Sequence, residues 1–132
     1  MPLTVLPRYL AAAAVGLLVD LFGMGDAYAY HARMRGLHSA ALWCALAALL
    51  IVPAILNFGS KLTLRLAAAI LAGMAVPHTL VLIREISVDP TSHNLWPFEY
   101  ILLGLFVVPA LLGGAAGRFA GQAWAAGNRG KV

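Results

Sequence analysis

Four apolar runs, each close to the length a helix needs to cross a bilayer, constrain this chain more than any other feature. They cover roughly residues 9–28, 39–56, 66–83 and 95–117. A helix rising ~1.5 Å per residue crosses the ~30 Å hydrocarbon layer in about 20 residues. Little sequence is left between the runs for a soluble domain. Composition agrees: 62% of the 132 residues are hydrophobic and 11% are charged, with a mean hydropathy of +0.87. Soluble domains average about 45–50% and about 25%. A water-soluble globule would need more polar surface, and a nucleic-acid binder or a disordered chain would need far more charge. The expected fold class is an all-α integral membrane protein. It would form a single four-helix transmembrane bundle over residues 1–132, with 118–132 as a short basic cytoplasmic tail. Its expected partner is the lipid bilayer, with no nucleic acid.

The first run admits two interpretations. Arg8, the apolar stretch after it and Ala27-Tyr28-Ala29 together have the outline of a secretory signal with a cleavage site. Asp20 would fall near the end of its hydrophobic region and the basic n-region is thin, so the segment reads as a retained first span.

Orientation follows from Lys and Arg near the span ends. Arg8, Lys61, Arg65, Arg118, Arg129 and Lys131 fall on one side, and Arg33, Arg35 and Arg84 on the other. This bias places both termini and the 57–65 connection in the cytoplasm of a bacterial inner-membrane protein. The 31–38 and 84–95 connections then face outward. Trp96, Phe98, Tyr100, Tyr28 and Tyr30 would form an outer aromatic belt, and Phe119 and Trp124 would lie near the inner face. The lone Cys44 excludes an internal disulfide and reads as a small packing residue.

Gly113, Gly117 and Gly121 recur every fourth residue in the fourth run, and Ala12, Gly16 and Asp20 repeat that spacing in the first. Small residues at this spacing let helix backbones approach closely in lipid. The contact they serve is either inside the bundle or with another subunit, in a homo- or hetero-oligomer of membrane proteins. Pro53 and Pro77 lie within spans and remove backbone hydrogen bonds there, whereas Pro97 sits in a first turn, where proline is tolerated.

The polar chemistry is one-sided. All four histidines and all five carboxylates fall in the outward half: Asp20, Asp26, His31, His38, His78, Glu85, Asp89, His93 and Glu99. Topology does not demand this, because acids weigh little in the orientation rule. Asp20 and His78 lie within spans, and Glu99 lies in the first turns of another. An ionisable group near the bilayer centre costs ~2.5–3.5 kcal/mol on insertion scales and usually faces the bundle interior. His78 and Glu85 are seven residues apart and Asp20 and His31 eleven, so each pair projects within about 20° on an α-helix. His78 is therefore expected to point inward, with a carboxylate from Asp20, Glu85 or Glu99 approaching it.

Imidazole and carboxylate ligands suit Zn, Cu or Fe. No compact metal motif is present, so a metal site would be assembled across helices. A bis-histidine haem is disfavoured, because only His78 lies well inside the spans. Each residue also has an ordinary alternative. Glu99 suits the positive end of a helix, and Asp20 with His78 suits a polar link between helices. The leading functional expectation is a metal- or proton-handling accessory subunit of a membrane complex. The alternatives are a membrane-embedded acid–base enzyme on a lipophilic substrate and a purely structural subunit.

Overall fold

The computed structural model describes residues 5–24, 40–91 and 96–129. All regular structure among them is helical. Helix α1 (Leu6–Leu18) continues into a π turn, Val19–Met24. Helix α2 spans Ala40–Leu56 and α3 spans Thr63–Val88. Helices α4 (Trp96–Leu105) and α5 (Val107–Arg129) follow. They adjoin at Phe106, and Pro97–Arg129 counts as one apolar helix of 33 residues. Pro109 has no N–H for the Leu105 carbonyl, which is a sufficient reason for the ladder to slip there.

Two of these helices, Thr63–Val88 and Pro97–Arg129, are long and apolar enough to cross a membrane. Ala40–Leu56 is apolar but has 17 residues. Helices α1, α3 and α5 overrun the apolar runs at one end or both. The third run covers 66–83, yet α3 takes in Thr63 and continues through Arg84 and Glu85. Backbone hydrogen bonding does not stop where hydropathy falls, and Arg and Glu are good helix formers. For the same reason the expected basic tail is helical through Arg129. The expected first span ends at Tyr28, and its last four residues lie outside the described residues.

The packing has two halves. Helix α1 packs on α3, and α2 packs on α5; α3 also meets α5 and joins the halves. Both close pairs are built on glycine. A Cβ on Gly16 would overlap the Ile70 carbonyl, and one on Gly73 would overlap the Ala13 carbonyl. On the other side, Gly113 meets the Leu50 carbonyl, Gly117 the Ala54 carbonyl and Gly121 the Gly59 backbone. Residue numbers rise together along this second contact, so α2 and α5 run parallel. The spacing of Gly16, Gly113, Gly117 and Gly121 is thus used inside the chain. Buried Leu49, Leu66, Ile70, Met74 and Leu103 fill the space between the halves.

The connection between α2 and α3 is held by Asn57, which is fully buried. Its amide nitrogen donates to Thr63 Oγ1 at 2.6 Å and to the Gly114 carbonyl at 2.7 Å. Its amide oxygen accepts from Ser60 Oγ at 2.6 Å and from the Leu62 N–H at 2.8 Å. That fills the hydrogen-bonding capacity of the side chain. Gly59, at φ +65°, turns the chain so that its N–H reaches the Gly117 carbonyl at 3.3 Å. This clasp fixes the depth of α3 against α5.

Candidate functional site: a buried imidazole–carboxylate cluster

Depth is set at the clasp. Thr63 lies against Gly114, with α3 and the α4–α5 rod running in opposite directions. Moving fifteen residues along α3 from Thr63 reaches His78, and fifteen back from Gly114 reaches Glu99. At ~1.5 Å per residue both lie about 22 Å from the clasp. The register therefore delivers the two side chains to one level, and His78 Nε2 stands 3.4 Å from Glu99 Oε2. The imidazole side chain is 6% exposed and the carboxylate 21%. The inward-facing His78 with a carboxylate at hand is what the sequence leads one to expect, and Glu99 is the acid that meets it.

Tyr100 frames the pair. Its ring stands edge-on to the His78 ring, with centroids 5.2 Å apart and planes at 88°. Its hydroxyl lies 2.6 Å from Thr79 Oγ1, which also bonds the Ala75 carbonyl at 2.6 Å. A carbonyl only accepts, so the Thr79 proton is committed to Ala75 and Tyr100 is the donor to Thr79. The chain of hydroxyls holds Tyr100, and Tyr100 limits how the imidazole can turn.

Asp20 enters from the π turn after α1. It is 6% exposed and lies within Coulombic reach of His78. Its Oδ1 is buried with no hydrogen-bond partner among the described residues. Tyr9 Oη and Arg118 Nε are buried in the same condition elsewhere in the chain. π turns inside helices are frequent at functional sites.

Other expected members fall elsewhere. Glu85 shares a helix face with His78 by periodicity but is exposed, two turns beyond it. Leu82 is the last buried residue of α3, so the stripe leaves the bundle before Glu85. Asp89 is exposed and closes a turn, with Oδ1 accepting from the Thr91 N–H at 2.9 Å and the Thr91 hydroxyl at 2.7 Å. Those bonds favour its ionised form and hold its pKa below the ordinary 3.8. Asp26, His31, His38 and His93 lie outside the described residues. Among the described residues no group of three His, Cys, Asp or Glu is placed to hold a metal ion.

Sequence reasoning missed Tyr100 and Thr79 as supports and passed over Asn57 altogether. An Asn-x-Gly-Ser turn signature between two apolar runs was its one available signal. A groove of about 320 Å³ also opens between α1, its π turn and α2, lined by Val15, Leu18, Phe22 and Ala48 with Cys44. It presents no acid or base from the described residues. No protein-family model, curated protein or solved structure matches this chain.

Proposed function

We propose that this chain is a four-span membrane bundle, with both termini cytoplasmic, whose His78–Glu99 pair takes up and releases a proton from the outer side as an accessory subunit of a larger membrane complex. The observation that carries the proposal is the 3.4 Å approach of a buried imidazole to a mostly buried carboxylate. Purely structural links between helices do not need two titratable groups, and a buried pair of this kind is weak support for stability. An imidazole can hold or pass a proton near neutral pH, and a neighbouring carboxylate orients it for that task.

The membrane assignment is supported by what the helices leave uncovered. Leu10, Trp43, Ile55, Leu64, Leu80 and Leu112 are all more than 60% exposed. Such an apolar exterior suits lipid and would aggregate in water. A proton is favoured over a transition metal because His78 and Glu99 supply two ligand groups with no third from the described residues placed to complete a metal site. The lipophilic-substrate enzyme has less support, because the apolar groove lacks a catalytic group from the described residues. The structural-subunit reading loses its main argument once the glycine faces are satisfied within the chain.

The test is proton uptake by the full chain in lipid nanodiscs after a rapid acid jump, followed with a pH dye. His78→Gln and Glu99→Gln are each expected to lower the uptake below that of the wild type. Equal uptake in all three proteins would end the proposal. A reporter fused at the C-terminus is expected to read cytoplasmic, and an external reading would reverse the orientation.

A further inference from the structure

We propose that Asp20 is the second acid of this site, exchanging a proton with His78, so that a path for protons runs from Glu99 on α4 through the imidazole to α1. This deepens the proton-handling reading above and rests on it. Three observations carry it. Asp20 is 6% exposed, so its carboxyl is held away from bulk water. Its Oδ1 has no hydrogen-bond partner among the described residues, a condition that costs ~1–3 kcal/mol unless something else is gained. The π turn that carries it packs against α3, whose buried His78 is already paired with Glu99.

The surroundings isolate the exchange. The π turn packs against α2 and α3. From α3, which packs against the π turn, the buried titratable group is His78. Behind His78 stand Glu99 and Tyr100 of α4. From α2 the buried neighbours are apolar Leu42 and Ala45, and Cys44 lines the groove instead. On α1 itself, Arg8 and Tyr9 lie near the opposite end. His78 stands 3.4 Å from Glu99, and Asp20 is buried on the π turn that packs against the same helix, so a proton is the charge this part of the bundle can exchange. In the transfer an imidazolium N–H bond breaks and its electrons stay on the ring. An O–H bond forms on the Asp20 carboxylate, at contact or across one bridging water. The imidazole then accepts the next proton from Glu99. No oxidant or co-reactant is required.

The experiment is infrared difference spectroscopy of the full chain in nanodiscs across an acid jump. In the wild type, imidazole bands of His78 and a protonated-carboxyl band are expected together. Asp20→Asn should delete the carboxyl band, keep the imidazole bands and slow proton uptake at least about tenfold. A carboxyl band and uptake rate unchanged in Asp20→Asn would overturn the role of Asp20 while leaving the His78–Glu99 proposal intact. Absence of imidazole bands in the wild type would overturn both. Should Asp20→Asn fail to fold, Asp20→Glu, which keeps a carboxyl, answers the same question. A shift in the frequency of the band supports Asp20, and a band that does not move rejects it.

Discussion

The two ends of the bundle treat buried polar groups in opposite ways. At the clasp, Asn57 makes four hydrogen bonds, and three glycines of α5 bring backbones into direct contact. About 22 Å away, His78 meets Glu99, and Asp20 on the π turn keeps a buried carboxylate oxygen that no group among the described residues bonds. Asn57 cannot ionise in the physiological range, and its network has one arrangement. At the second end the side chains are titratable, so a proton has more than one place to sit. A fully satisfied network rigidifies a fold, whereas a partly satisfied one keeps room for chemistry. Their order along the chain also matters, because the clasp sets the register that brings His78 level with Glu99.

That contrast is sharpest at Gly117. Gly117→Leu would drive a side chain into the Ala54 carbonyl, which is backbone and cannot yield cheaply. Overpacking typically costs ~1–3 kcal/mol and more where backbone must move, so a loss of about 3 kcal/mol or of the folded protein is expected in a detergent melt. Gly104→Ala, with nothing within 4 Å of the added Cβ, serves as the control. It should be neutral or stabilising by up to ~1 kcal/mol through helix propensity. Equal destabilisation by both would mean that α2 and α5 are not in contact.

Asn57→Ala comes next. It strands the Thr63 and Ser60 hydroxyls and the Leu62 N–H in a part-buried turn. A cost of about 2 kcal/mol is expected, within the ~1–3 kcal/mol of unsatisfied buried groups. Tyr100→Phe, at the other end, removes one donor while Thr79 keeps its bond to Ala75. Its cost should be ~0.5–1.5 kcal/mol, and the ring-nitrogen chemical shifts of His78 should change as its neighbour loosens. If Tyr100→Phe proved the more damaging of the two in thermal melts, the division between a structural end and a chemical end would fail.

The smallest effect belongs to Asp89, which is exposed. Its pKa is lower in the folded chain than its ordinary 3.8, because Thr91 bonds the ionised form. Whatever it contributes is therefore present above that ordinary value and is lost as pH falls through the lower, folded one. Asp89→Asn should lower melting slightly at neutral pH, and its difference from wild type should shrink as pH falls through the acid range. A mutant that differed most from wild type in acid would contradict this sign.

Much of the fold was legible because hydropathy and helical periodicity are local. The apolar runs located the starts of the helices to within a few residues, and the cost of a polar group in an apolar setting marked Asp20, His78 and Glu99 as inward-facing. The ends were less legible, since Thr63, Arg84 and Arg129 are helix-compatible residues that hydropathy alone assigns to loops. Periodicity misjudged Glu85, because a shared helix face says nothing about where the neighbouring helix stops.

The helical, strongly apolar character of the chain follows from its residues alone. Which glycines face a partner within the chain follows from the packing instead. So do the burial of Asn57 as the clasp and the meeting of His78 with Glu99 rather than Glu85. Each of these depends on the axial register between helices far apart in sequence. That register comes from the side-chain network of one connection and the close approach of glycine backbones, and no local pattern in α3 or α4 encodes it.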